Sequence, residues 1–483
     1  MYRFLSQFLL LFLFCGNITL AQKEDSLVIR KIFTAAISDT TAYHNLRYLC
    51  TQIGGRLCGS PQAEKAVQWS KTTLDAMGLD SVWLQECKVR HWVRGNTEGL
   101  AAARGASQPV RLHACAIGGS VGTGKSGLNA TVVEVKDFEE LKTIGRKNIE
   151  GKIVFFNHPP DQSHYNTFGS YGELVRYRVF GANYAASYGA IGVVVRSATV
   201  AHDDFPHTGI LHYADTVKKI PAMALSANDA EKLGRLLKAD PRLKVTMKLS
   251  STEYPEATSC NVIGEIRGAV HPERVIVLGG HLDSWDTGQG ANDDGTGIMQ
   301  AIDVLRIFKA LDIKPECTIR AVLFMDEEMA QRGAKKYGEF AKAQEELYRS
   351  SRASGSANAL TAEATQAPRG SHHVAAIETD RGGFTPFGFS IEATDGQIGK
   401  IRGWKELLLP YGLYLFEKGG SGVDIRELKS LGVPLLDLVP DSQRYFDFHH
   451  SASDIFTNVN PRELQLGSFS IAAMVYLIDK YGL

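Results

Sequence analysis

Apolar residues recur every three or four positions from about residue 22 to residue 87, which is the period of amphipathic helices. Residues 41–49 (TAYHNLRYL) and 63–69 (AEKAVQW) carry the stripe, and the glycine-rich 54–60 (GGRLCGS) between them reads as a loop. The pattern then changes. Residues 115–255 hold short β-like runs such as 130–135 (ATVVEV), 152–156 (KIVFF) and 191–195 (IGVVV), separated by Gly, Pro and Asp, with helical runs at 182–188 and 229–237. This predicts a separate, smaller α/β or β-rich unit. From residue 261 onward, nearly continuous apolar runs alternate with helical ones. They are 274–279 (RVIVLG), 318–325 (TIRAVLFM), 374–377 (VAAI), 389–391 (FSI) and 435–439 (LLDLV). Runs of this kind are strands buried on both faces of an α/β sheet. Ile298, Ile302, Leu305 and Phe308 share one helical face of residues 297–311, which predicts a crossover helix packed on that sheet. The small, polar stretch 349–372 reads as a surface excursion.

The N-terminus departs from this scheme. Residues 1–21 carry Arg3, the apolar run 8–14 and a small, polar end at Ala21. This is the form of a secretory signal peptide with cleavage before Gln22. Residues 22–114 are then expected to form the first part of a main domain, 115–255 an inserted unit and 256–483 the remainder of the main domain. The chain has 483 residues, of which 44% are apolar and 22% charged, as in ordinary globular proteins. Lys+Arg and Asp+Glu are both 53, so a strongly basic nucleic-acid binder is excluded. No apolar run after the leader is long enough to span a membrane. Six cysteines follow the leader, and in an exported chain they permit disulfides, with Cys50 and Cys58 the expected pair.

Ligand sites in open α/β sheets lie beyond the carboxyl ends of the strands. After 274–279 stand His281 and Asp283 and, past a loop, Asp293 and Asp294. After 318–325 stand Asp326, Glu327 and Glu328. After 374–377 come Glu378 and Asp380. One loop beyond 435–439 come His449, His450 and Asp454. Singly, these are ordinary loop histidines, turn residues and solvated helix starts. Four strand ends that each deliver imidazole or carboxylate point instead to a metal site. Such a donor set without thiolate suits Zn²⁺ or a similar first-row ion. Two His and at least three carboxylates exceed the need of one tetrahedral ion, and two ions sharing a bridging carboxylate use them all. Asp283 is placed to accept the second N–H of the His281 ring and hold it, and Asp454 to do the same, more weakly, for His450.

The motifs HLDSWDTGQGANDDGTG, FMDEE, ETD and FHHSASD together resemble the co-catalytic two-zinc exopeptidases, and most closely their carboxypeptidase Q-like branch. That branch carries an inserted protease-associated domain, which residues 115–255 resemble. The resemblance implies a mixed, mostly parallel sheet sandwiched by helices. It also implies two zinc ions per chain, with His281 and Asp380 on one, Glu328 and His450 on the other, and Asp293 bridging both. Glu327 is then the general base and Asp283 the partner of His281. His450 fits the family spacing to its Asp and His449 does not.

Zinc lowers the pKa of bound water from about 15.7 to about 7, and Glu327 is placed to take a proton from that water and pass it to the leaving amine. The resemblance implies a short peptide with free ends as the substrate. Asp380 and Glu328 are candidates for its ammonium, and the amides of the glycine-rich 418–424 for its carboxylate. The resemblance suggests a homodimer. Two other readings share the scaffold: a non-catalytic receptor ectodomain, and a single-zinc glutaminyl cyclase. The complete ligand set argues against both.

Overall fold

The computed structural model describes residues 23–102, 108–353 and 370–483. The expected leader, with Cys15, and most of the polar stretch after residue 353 lie outside the described residues. The apolar runs after residue 261 form the middle of an eight-stranded sheet. Its order is Ser81–Val93, Thr252–Ile266, Cys317–Phe324, His271–His281, His372–Glu378, Leu435–Pro440, Pro386–Glu392 and Leu415–Lys418. The four strands from Cys317–Phe324 to Leu435–Pro440 pair in parallel, and strands pair antiparallel on both sides of them. The fold is therefore mixed α/β. Parallel pairing matters for function because it brings the carboxyl ends of all four strands to one edge.

Both faces of the middle of this sheet are dry. Along His271–His281, Ile276 and Leu278 pack into one core with Leu305 and Phe308 of the crossover helix Thr296–Ala310 and with Phe469 of the last helix, Pro461–Tyr481. Val275 and Val277 point the other way, into a second core with Ala334, Tyr337 and Ala341 of the helix Arg332–Ala353. Alternation with period two, apolar on both sides, is what a strand between two helical layers requires.

A second eight-stranded sheet is built from strands lying between Thr97 and Leu249. It enters the chain between Ser81–Val93 and Thr252–Ile266, which pair with each other as a long antiparallel ribbon. Two features differ from the sequence reading. Residues 81–87 are not helical: the helix Pro61–Ala76 ends at Met77, Gly78 adopts φ +63°, and SVWLQECKVRHWV continues as a strand. A glycine free to take positive φ stops a helix more firmly than apolar spacing can extend it. The second sheet also begins before residue 115, because Thr97–Ala102 pairs with Lys244–Leu249. That strand, TEGLAA, has few bulky residues, so composition hides it.

Cys50 and Cys58 do not pair; all six described cysteines are free. Cys58 points toward Asp326, its Sγ lying 3.0 Å from Oδ1 and 3.2 Å from the Arg90 carbonyl. Among the described residues no helix is long and apolar enough to cross a membrane.

Leu305 is fully buried where the crossover helix meets the sheet. Leu305→Ala is expected to cost about 2–5 kcal/mol, read as a lower midpoint in urea unfolding; an unchanged midpoint would contradict this packing.

Candidate metal centre

The shared edge of the four parallel strands collects the acidic and imidazole side chains. His281 closes the strand His271–His281 and is fully buried. Its Nε2 lies 3.2 Å from Asp293 Oδ1 and 3.5 Å from Asp380 Oδ1. His450 Nε2 lies 3.2 Å from Asp293 Oδ2 and 3.1 Å from Glu328 Oε2. Asp293 thus offers one oxygen to each imidazole. Glu327 Oε2 stands 4.0 Å from His281 Nε2. His449 stacks on His450 with ring centroids 3.5 Å apart, and its own Nε2 is 3.7 Å from Asp293 Oδ2.

These spacings suit cations. Ligands about 2.0–2.2 Å from a tetrahedral ion stand about 3.3–3.6 Å from one another, close to the separations around each imidazole. His281 Nε2, Asp293 Oδ2 and Glu328 Oε1 are buried yet accept or donate no hydrogen bond, although buried polar atoms are normally paired. At this edge three groups of described residues bring potential ligand atoms within 4.8 Å of one another: Asp293 with His449 and His450, His281 with Asp294 and Asp380, and His281 with Asp293 and Glu328.

Backbone chemistry aims these side chains. Asp294 Oδ2 accepts the His281 N–H at 3.1 Å and its Oδ1 accepts the Gly297 N–H at 3.0 Å, tying the strand end to the start of the crossover helix. A side chain at position 297 would collide with the Asp294 carboxylate and the Thr379 carbonyl, which is why glycine stands there. Asp326 and His450 hold positive φ, +70° and +62°, a conformation that costs non-glycine residues of order 1–3 kcal/mol and collects at functional sites.

Two of the expected orienting contacts are made by other atoms. The His281 Nδ1 partner is the carbonyl of Asp283, at 2.9 Å, while the Asp283 carboxylate lies 3.9 Å away and accepts the Glu327 N–H at 3.1 Å. A side chain two residues on is turned away here because the chain leaves the strand at this point, which brings the carbonyl nearer. Asp454 does not meet the His450 ring. It accepts the N–H groups of Asn292 and Asp293, at 2.8 and 3.2 Å, and so braces the loop that carries Asp293. The His450 Nδ1 contacts are the Thr208 carbonyl and Arg178 Nη1, both at 3.3 Å.

Thr208 and Arg178 belong to the second sheet's unit, and sequence reasoning missed them. That unit is fastened to the His449–His450 turn. The Thr208 N–H donates to the His450 carbonyl at 2.9 Å, His207 Nδ1 lies 2.6 Å from the His449 carbonyl, and the Thr199 hydroxyl donates to the Phe446 carbonyl at 2.6 Å. Together the two units line an open cleft of about 460 Å³. One wall is Phe168, Tyr171, Arg178 and Ile210; the floor holds Asp293, Glu327, Glu328 and Asp380. Of the glycine-rich segment 418–424, Val423 lines this cavity. The Gly419 N–H is taken by the Ile391 carbonyl.

Crowding sets the protonation of the site. Burial opposes charge on His450, but Glu328 and Asp293 outweigh it and raise its pKa to about 10. Asp380 and Asp293 likewise hold His281 well above the imidazole range against its burial. Glu328, desolvated and beside Asp293, is pushed up to about 7. Burial, with Glu328 and Asp380 near, also raises Glu327 well above the usual carboxylate range.

Comparison with known proteins places these residues in context. Residues 261–475 match the family model described as peptidase family M28. Carboxypeptidase Q of Bos taurus is 33% identical over 440 residues, covering 90% of this chain and 85% of that protein. A peptidase M28 precursor from Shewanella amazonensis SB2B superposes with a TM-score of 0.85 at 30% identity, covering 95% of this chain and 97% of that one. A zinc aminopeptidase from Bacillus subtilis has a TM-score of 0.60 at 18% identity, covering 90% and 94% of the two chains, a likeness of fold.

A cation entering this site displaces protons held by raised imidazoles and carboxyls. With His450 near pKa 10 and Glu328 near 7, protons compete more strongly as pH falls. Zinc affinity, measured by chelator competition, is expected to rise steadily from pH 6 to pH 9 with proton release to the buffer. An affinity flat across that range would contradict the arrangement.

Proposed function

The chain belongs to peptidase family M28, and from that premise we propose that it is an exported, zinc-dependent exopeptidase of the carboxypeptidase Q kind, cleaving dipeptides or short peptides with free ends. The observation that carries the reading is the pair of imidazoles sharing Asp293, with 3.2 Å from His281 Nε2 to one of its oxygens and 3.2 Å from His450 Nε2 to the other. His281 and Asp380 would hold one zinc ion, Glu328 and His450 a second, and Asp293 both. Zinc, when bound, polarises a carbonyl and makes water a ready nucleophile near neutral pH.

The chain's own residues do the rest. Glu327 lines the cavity one residue from Glu328, so its carboxylate can take a proton from water at Oε2 and return it to the departing amine. Its burial raises its proton affinity, which favours this exchange near neutrality. The Asp283 carboxylate, by accepting the Glu327 N–H, holds that segment in place. Asp380 receives a hydrogen bond from the Tyr445 hydroxyl at 3.4 Å and, with Glu328, offers negative charge to a substrate ammonium. Phe168, Tyr171 and Phe446 line the cavity and offer apolar surface to a small substrate. The volume, about 460 Å³, lies in the range of small-ligand sites. Export rests on the leader-like residues 1–21, and residues 97–249 would be the inserted protease-associated domain.

The decisive assay is hydrolysis of a dipeptide library with free, N-blocked and C-blocked ends, with and without chelator. Turnover of free-ended dipeptides that is lost with chelator and restored by zinc supports the reading; activity indifferent to chelator refutes it. Glu327→Gln is expected to keep its zinc and lose about 10²–10⁴-fold in kcat. A rate near that of the unaltered enzyme would remove Glu327 from the general-base role.

A further inference from the structure

Among the described residues the largest fully buried side chain is a cation. Arg56, in the GGRLCGS loop, has no exposed surface. Its guanidinium reaches across to the segment between His281 and Asp293. Nε donates to the Leu282 carbonyl at 2.5 Å, Nη1 to the Gln289 carbonyl at 2.9 Å and Nη2 to the Gly290 carbonyl at 3.0 Å. The Arg56 N–H also donates to the Ser284 hydroxyl at 3.3 Å, and its carbonyl accepts from the Ser284 N–H at 3.4 Å. One side chain therefore grips the loop just after His281 and again just before Asp293.

We infer that Arg56 is a positioning residue that holds the His281–Asp293 loop closed and thereby sets the metal affinity of the site. The inference rests on the functional reading above and deepens it. Loop closure is the relevant physics. His281 and Asp293 are 12 positions apart, and their ligand atoms must stand near 3.2 Å. An untied loop visits many other separations, and the entropy of closing it is then charged against binding. Arg56 closes it in advance. From the other side Asp454 grips the Asn292 and Asp293 N–H groups, so the bridging carboxylate is held between two clasps.

The choice of arginine follows from geometry. Three carbonyls around one buried head group need donors in fixed, divergent directions, which a planar guanidinium has and a lysine ammonium on its flexible stem lacks. Gly290 completes the fit, because a side chain there would strike both Ser284 and the Arg56 guanidinium. The positive charge also stands among Asp454, Asp283 and Asp294, where it offsets part of the acidity that the ligand loop gathers. Arg56 touches no ligand atom; its effect passes entirely through the backbone it holds.

The test is zinc affinity by competition with a chromophoric chelator, comparing the unaltered protein with Arg56→Lys and Arg56→Met, alongside thermal melts of the metal-free and metal-loaded forms. Loss of a group that orients ligands typically weakens metal binding about 10–100-fold, and that loss is expected for both variants, with a smaller rise in melting temperature on adding zinc. A purely structural role gives another pattern. Metal-free and metal-loaded melting temperatures then fall together while the affinity of the folded protein stays unchanged, and that result overturns the inference. Should neither variant fold, Ser284→Ala removes only the hydroxyl beneath the Arg56 N–H. It is expected to weaken zinc binding in the same direction by a few-fold, and unchanged affinity in that variant overturns the inference equally. An unaltered protein that binds no zinc refutes the functional reading itself, whereas zinc binding unaffected by the variants refutes only the clasp.

Discussion

Like charges brought together out of water repel, and this fold brings Asp293, Glu327, Glu328 and Asp380 to the floor of one cavity. Such a gathering persists only beside compensating positive charge. The surrounding carboxylates raise the proton affinity of His281 and His450 against the effect of burial, and burial raises that of Glu327 and Glu328, so bound protons relieve part of the repulsion. Divalent cations such as zinc would be a stronger solution to the same problem, and would let the imidazoles act as neutral ligands. The rest of the molecule can be read as the apparatus that keeps this unfavourable cluster assembled until cations arrive.

The apparatus has three parts. The parallel middle of the large sheet presents four strand ends at one edge, which sets the approximate position of each of these side chains. Short backbone contacts then set the final geometry, with the Asp283 carbonyl on His281, Asp294 between strand and crossover helix, and Asp454 and Arg56 on the intervening loop. The second sheet's unit supplies the last constraint through Thr208, Arg178 and His207. It is a wall of the site and a partner of His450, so a change in how it docks will be felt at the ligands as well as in the cavity.

How much of this could be read from the sequence depends on the range over which each signal acts. Strands buried on both faces announce themselves as runs such as RVIVLG and TIRAVLFM, and parallel topology turns strand ends into a site, so His281, Asp293, Glu327, Glu328, Asp380 and His450 could be gathered without coordinates. Orientation was harder to read. Whether the carbonyl or the carboxylate of Asp283 meets His281 depends on one turn of backbone that no residue identity encodes. Cys58 sits close to Cys50 in sequence, yet its Sγ turns to Asp326, 268 positions away. Arg178 and Tyr171 lie on an ordinary helix, Thr167–Ser187, and nothing local marks them as facing a cavity. Arg56 was visible only as part of a glycine-rich loop, because its acceptors are main-chain carbonyls, which carry no sequence signature.

The most direct measurement of the central claim is anomalous diffraction at the zinc absorption edge from crystals of zinc-loaded protein. Two peaks about 3.5–4 Å apart are expected, one among His281, Asp293 and Asp380 and the other among His450, Asp293 and Glu328, with one Asp293 oxygen on each. A single peak, or zinc bound away from Asp293, would contradict the account.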